Sequence, residues 1–239
     1  MLEEAASQFA AKPVIVKVGD PATVFHVNED LLCDNSKFFK AALKKEWREG
    51  QTRKIDLAEH GPEVFNLWLN WLHGRRILMD NDDGENAVQH FDYGLLIKAY
   101  HLGDMLLDRD FKDALCDALA VTMSRPVKGI VTVPNEMNRK SLYEVTAEGA
   151  RIRRLVVDRV VRSSNGHNIC SEADHPAAFL LDCARANLTQ NDDPKARLAT
   201  PAKVEACEFH EHGADACYRT KYANISVLSV ELEVHRRGV

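Results

Sequence analysis

The sequence predicts an α+β protein, with a short sheet near the amino terminus capped by helical hairpins and a mainly α-helical region after it. Three observations support this fold class. β-Branched runs recur at hairpin distance between residues 14 and 27, apolar residues recur at helical spacing between 62 and 122, and a further amphipathic stretch covers 152–160. A chain of 239 residues, 45% of them hydrophobic, can bury a core without disulfides.

The sheet is predicted from three short segments. Residues 14–18 form a β-branched run that Gly19 and Pro21 close, and residues 23–27 follow as an antiparallel partner. Ile55 and Leu57 alternate with charged neighbours, which predicts a half-buried third strand.

The first helices are predicted from their caps and from apolar spacing. Asn28 suits the start of one short helix, and Asn35 or Ser36 suits the start of a second. Pro62 begins a helix that is apolar nearly all round, so this helix must lie at the centre of the core. Two amphipathic helices follow as an antiparallel hairpin, with apolar positions at Phe91, Leu95, Ala99, Leu102 and Leu106 and then at Phe111, Leu115, Ala118 and Thr122.

Charge divides the chain into two parts. Residues 1–124 carry a net charge of −7 and residues 125–239 carry +2. Pro126 and Pro134 bracket the segment after the last strongly periodic helix, so we place the boundary between two regions there, at 12–124 and 125–239. The second region is predicted to be helical, with a Cys/His-containing end.

The first region resembles the BTB/POZ family. The likeness covers residues 12–124, is most specific within 12–80, and is carried by residues 14–19, 25–43, 54–57 and 62–74. Weaker likeness to the fungal branch of the family, whose members append a helical extension, lies in residues 134–143, 146–149 and 153–158. The resemblance implies a module that binds other proteins, that can form a homodimer, and that can act as a substrate adaptor for a cullin-type ubiquitin ligase.

Motifs of catalysis are missing from the sequence. It contains no G-x-S-x-G elbow, no Walker loop, no G-x-G-x-x-G and no H-E-x-x-H. Cys33 and Cys116 occupy apolar helical faces, where a free cysteine usually acts as a small hydrophobe. We therefore predict a protein that is not an enzyme, with no catalytic residue and no organic cofactor.

The sharpest cluster of reactive residues lies near the end of the chain. Cys207, His210, His212 and Cys217 follow the pattern Cys-x₂-His-x-His-x₄-Cys, and thiolate and imidazole are the preferred ligands of zinc. The pattern makes these four residues candidate zinc ligands. Two alternatives stay open: a polar surface loop with two free cysteines, or a site that recruits an upstream residue from Cys170, His175 and Cys183.

The remaining features limit the partners. Five arginines between 151 and 162 surround Asp158, and without interleaved aromatics they favour a solvated helix face over a nucleic-acid site. The alternative function is a transcription-associated regulator whose C-terminal region binds zinc and nucleic acid.

The acidic loop at 80–85 lacks the spaced ligands of a calcium site. With no signal peptide or membrane-spanning stretch recognised, the sequence predicts a cytoplasmic or nuclear protein with no membrane partner.

Overall fold

The computed structural model of the protein describes residues 13–77, 92–124, 126–127, 130–163, 175–191 and 207–223. The acidic loop at 80–85 and the predicted helix position Phe91 lie outside these ranges.

The three predicted strands are present, and they form one sheet. Its strands are β1 (Pro13–Val18), β2 (Thr23–Asn28) and β3 (Lys54–Leu57), in the order β2-β1-β3. β1 pairs antiparallel with β2 and parallel with β3, so that Val16 lies between Phe25 and Ile55. Alternate residues of β1 are fully buried, which is the pattern of a sheet with one face on the core.

Helices make up most of the rest, and the fold is α+β as predicted. In chain order the helices are α1 (Glu29–Asn35), α2 (Lys37–Ala42), α3 (Arg48–Thr52), α4 (Pro62–Gly74), α5 (Tyr93–Met105), α6 (Arg109–Thr122), α7 (Glu136–Val145), α8 (Arg151–Ser163), α9 (Ala177–Asn191) and α10 (Tyr218–Lys221). A two-stranded hairpin, β4 (Pro126–Val127) and β5 (Ile130–Val131), separates α6 from α7.

The predicted helix caps are confirmed. The side chain of Asn28 accepts a hydrogen bond from the backbone N–H of Asp30 at 2.8 Å, which fixes the start of α1. Ser36 caps α2 by accepting from the N–H of Phe39, and its hydroxyl donates to the carbonyl of Leu106 at 2.7 Å. Ser36 therefore also ties α2 to the end of α5.

Helix α4 lies at the centre of the core, as its apolar sequence predicts. Phe65, Trp68 and Trp71 are all fully buried. Trp68 stacks on Phe39 with ring centroids 5.6 Å apart, and its indole N–H donates to Asp108 at 3.0 Å. Asp108 also caps α6, so the Trp68 side chain links α4 to both α2 and α6.

The C-terminal region shares this core. Leu142 of α7, together with Ile152 and Leu155 of α8, belongs to the same buried cluster as the sheet and α4. α7 packs on α5, and α8 packs on α6 and α9. The apolar face predicted for 152–160 is thus buried against the first region.

The prediction of a solvated arginine face is wrong at two positions. Arg153 and Arg159 are buried. Arg153 donates to the carbonyl of Tyr143 at 2.8 Å and lies over its ring, while Arg162 pairs with Asp158 at 2.7 Å. The long aliphatic stem of arginine allows it to pack in this way while its charged end reaches carbonyl acceptors. Within the described ranges, no helix combines the length and apolar content that crossing a bilayer requires.

A buried histidine predicts a pH dependence of stability. His60 is 9% exposed, and its ring centroid is 5.2 Å from that of His101. Burial, with His101 adding to it, lowers the pKa of His60 below the value of about 6.5 expected in the unfolded chain. The unfolded chain therefore binds more protons between these two pKa values, so the stability contribution is intact above about pH 6.5 and is lost as pH falls.

We expect replacement of His60 by glutamine to remove this part of the pH dependence. Urea unfolding between about pH 7.5 and about pH 5 should show a smaller loss of stability on acidification in His60→Gln than in the wild type. Equal losses in the two proteins would contradict the assignment to His60.

Candidate metal centre

Two reverse turns and a helix start bring the four predicted ligands together. The N–H of His210 donates to the carbonyl of Cys207 at 3.2 Å, and the N–H of Asp215 donates to the carbonyl of His212 at 3.0 Å. Cys217 is the N-cap of α10, and its carbonyl accepts a hydrogen bond from the backbone N–H of Lys221 at 3.1 Å. The chain reverses twice between residues 207 and 217, which is how so short a stretch can converge on one point.

Unusual backbone angles accompany these turns. Gly213, with φ of +59°, occupies the left-handed region that glycine adopts without a steric penalty. Cys207 has φ of +80°, which is uncommon for a residue with a side chain. Such conformations persist where the surroundings constrain them, and here the constrained residue is one of the four predicted ligands.

The side-chain geometry suits a tetrahedral metal ion. The ligand atoms of Cys207, His210, His212 and Cys217 all lie within 4.8 Å of one another. The Sγ atom of Cys217 is 3.6 Å from Nδ1 of His210. Bond lengths of about 2.3 Å to sulfur and about 2.0 Å to nitrogen place a sulfur ligand and a nitrogen ligand of a tetrahedral zinc ion about 3.5 Å apart, close to this distance. Among the residues that the structure describes, this is the one group of His, Cys, Asp and Glu side chains placed to hold a metal ion.

The hydrogen bonds of His210 set which of its nitrogen atoms can bind a metal. Nε2 lies 3.0 Å from Oδ1 of Asp117, and because an ionised carboxylate only accepts, Nε2 carries the proton. The lone pair of Nδ1 then faces Cys217.

His212 shows the opposite arrangement. Its Nδ1 lies 3.0 Å from the carbonyl oxygen of Gly213, which can only accept, so Nδ1 carries the proton. Its Nε2 is buried and has no hydrogen-bond partner. A buried nitrogen without a partner is costly, and a metal ion would satisfy it. The donor set of two thiols and two correctly oriented imidazoles therefore fits zinc.

Cys217 needs a nearby cation to ionise here. Burial raises the pKa of Cys217 to about 11. A thiol with such a pKa is neutral at physiological pH, whereas a bound metal ion would hold it as thiolate.

Helix α6 supplies the anchor for the Cys/His segment, by which we mean residues 207–222. Asp117 of α6 is 5% exposed and accepts hydrogen bonds from His210, from the Tyr218 hydroxyl at 2.5 Å and from Nε of Arg219 at 2.9 Å. Burial disfavours its ionised form, but these three donors outweigh burial and lower the pKa of Asp117. Asp117 is therefore a buried carboxylate with a nearly complete set of partners.

Further contacts extend along the same face of α6. Asp113 accepts from the backbone N–H of Glu211 at 2.5 Å, and Asp110 pairs with Lys221 at 2.7 Å. Arg109 reaches Asp215 at 2.8 Å, although this ion pair is exposed and contributes little. Acidic side chains at 110, 113 and 117 thus each contact the Cys/His segment.

Aromatic packing completes the interface with α4. The rings of Trp71 and Tyr218 meet edge to face with centroids 5.6 Å apart. The guanidinium group of Arg75 lies 4.3 Å from the ring centroid of Tyr222. The Cys/His segment therefore covers a surface formed by α4 and α6.

The other candidate cysteines and histidines that the structure describes lie outside the cluster. Cys183 is buried on α9 and His175 packs against Phe179, while Cys170 lies outside the described residues. Cys116 is 1% exposed, and burial raises its pKa well above the usual value. Cys33 is partly buried against the core, with its pKa also raised by burial. Neither thiol has the lowered pKa of a reactive cysteine.

Sequence reasoning missed the acidic residues of α6. Asp117 lies about ninety positions before His210, and its neighbours in the sequence are apolar. The one available signal was three acids at helical spacing, 110, 113 and 117, on a helix that is otherwise buried.

No known protein-family model matches this chain, and no curated protein matches it with significant similarity.

Proposed function

We propose that this protein is a non-catalytic protein–protein interaction module of the BTB/POZ type, with a C-terminal extension whose Cys/His segment is held in its folded shape by a structural zinc ion. The closed donor set of Cys207, His210, His212 and Cys217 carries the zinc part of this proposal, and the order of the strands and helices, with the sequence resemblance, supports the interaction module. The finer assignment to a cullin adaptor rests on the sequence resemblance.

The number and type of ligands favour a structural metal over a catalytic one. Structural zinc sites use four protein ligands, often two cysteines and two histidines, whereas catalytic sites keep a position open for water or substrate. All four donors here come from the protein, and both histidines are buried. The most reactive side chains of the described part of the chain are thus occupied in holding the fold.

The arrangement of the first region supports an interaction module. The order strand, strand, helix pair, strand, buried helix and helix hairpin is the order on which the BTB/POZ resemblance rests, with α3 as a short addition before β3. The described cysteines are all free, in keeping with a reducing cytoplasmic or nuclear environment.

The contacts of α8 weigh against the alternative of a nucleic-acid-binding regulator. Arg153 donates to the carbonyl of Tyr143 and lies over its ring, and Arg162 pairs with Asp158. A basic surface for phosphates needs several arginines that face solvent, and burial of Arg153 and Arg159 removes two of the five in α8 from the surface.

Direct binding to a cullin tests the adaptor role. We expect the purified, zinc-loaded chain to bind the amino-terminal region of a cullin in isothermal titration calorimetry, and an established BTB adaptor to displace it. If the cullin gives no binding heat with the folded chain at about 0.1 mM, the affinity is too weak for a stable complex. That result would refute the adaptor role.

Oligomeric state provides a second measurement. Light scattering coupled to size exclusion should report a homodimer, since the resemblance implies self-association. A monomer over the whole micromolar range would contradict the dimer while leaving the cullin experiment informative.

A further inference from the structure

We propose that Asp117, a residue of the first region, is a positioning residue for the metal centre, so that helix α6 sets the metal affinity of a site whose ligands all lie in the Cys/His segment. This inference rests on the proposed zinc site. It adds a residue that binds no metal itself and that no motif of metal ligands includes.

The position of Asp117 is fixed from several sides. It projects from the third turn of α6, is almost fully buried, and accepts from both Tyr218 and Arg219 in addition to His210. A second contact between Arg219 and Oδ1 reinforces the pair. The carboxylate therefore has little freedom to move away from His210.

This fixed carboxylate orients the His210 ring. By accepting from Nε2, Asp117 holds the tautomer whose Nδ1 lone pair faces the Sγ of Cys217. Carboxylate–histidine–metal arrangements of this kind raise the basicity of the ligand, and loss of the outer partner typically lowers metal affinity by about 10- to 100-fold.

Asp113 provides a matched comparison. It lies one turn earlier on the same face of α6, is also buried, and also contacts the Cys/His segment. Its contact is the backbone N–H of Glu211, which is not a ligand, and its Oδ2 atom has no hydrogen-bond partner. Asp113→Asn thus removes a similar charge from the same interface without touching a ligand's hydrogen bond.

The first test measures zinc affinity in the full-length chain by competition with a chromogenic chelator. We expect Asp117→Asn to bind zinc about 10- to 100-fold more weakly than the wild type, and Asp113→Asn to stay within about threefold. Equal affinities of Asp117→Asn and the wild type would overturn the inference. If the wild type itself binds no zinc, the proposed zinc centre fails, which is a different outcome from failure of this inference alone.

The second test does not depend on a variant that must fold. A long-range ¹H–¹⁵N spectrum of the zinc-loaded wild type should show His210 bound to zinc through Nδ1 with a protonated Nε2, and His212 bound through Nε2. Coordination of His210 through Nε2 would overturn the inference, because that nitrogen could not then donate to Asp117.

Discussion

Replacement of Cys217 by serine is expected to abolish stoichiometric zinc binding and to release the Cys/His segment from α6. A serine hydroxyl stays protonated at neutral pH and is a poor zinc ligand, so the centre keeps three donors of four. Structural zinc contributes an apparent binding free energy of about 10–16 kcal/mol in small zinc-dependent domains. The Cys/His segment contains only one short helix, α10, so the metal should supply much of its order.

Tryptophan fluorescence and limited proteolysis measure the release. Trp71 packs against Tyr218 and Tyr222, so detachment of the segment exposes its ring and should shift the emission to the red. Trp71→Phe should remove the shift, and proteolysis should cut the released segment first. Cys183→Ala, which deletes a thiol outside the cluster, should retain zinc. Zinc bound at one ion per chain in Cys217→Ser would contradict the assignment of this ligand.

Replacement of Trp68 by alanine is expected to lower the free energy of unfolding by about 3–5 kcal/mol, the usual cost of deleting a large buried aromatic side chain. The side chain is fully buried in α4 and stacks on Phe39. Its loss also leaves Asp108 without the indole N–H at 3.0 Å, although Asp108 still caps α6 through Phe111. Since natural domains are stable by about 5–15 kcal/mol, this single change should remove a large part of the total.

Trp68→Phe separates packing from the hydrogen bond. Phenylalanine retains an aromatic ring beside Phe39 but cannot donate to Asp108, so we expect a smaller loss of about 1–3 kcal/mol. Urea unfolding followed by circular dichroism measures both variants. A Trp68→Ala protein as stable as the wild type would show that α4 is not the centre of the core.

The part of the fold that the sequence predicts well is governed by local rules. Alternating residues in β1 and β3 reveal which face is buried, and Asn28 and Ser36 mark helix starts through hydrogen bonds to N–H groups two or three residues away. The burial of α4 follows from its composition, because a helix that is apolar on nearly all sides has to be surrounded by protein. These signals need no knowledge of the tertiary structure.

The features that escape prediction are contacts between distant residues. The sequence predicts Arg153 and Arg159 to be solvated because it does not show that the Tyr143 carbonyl of α7 and the packed helices lie near them. The four candidate ligands could be recognised in the sequence because the ligands of a structural zinc site often form a short pattern within one segment. Asp117 could not be recognised, since its partner His210 is joined to it only by the packing of the Cys/His segment on α6.

The central claim is that Cys207, His210, His212 and Cys217 bind one zinc ion that holds the Cys/His segment in the shape that packs on α6. Native mass spectrometry of the full chain, purified without added chelator or metal, tests it most directly. We expect a single dominant species with one zinc ion per chain, converted to the metal-free mass by a strong chelator. A folded chain that shows only the metal-free mass, even after incubation with excess zinc under reducing conditions, would contradict the account.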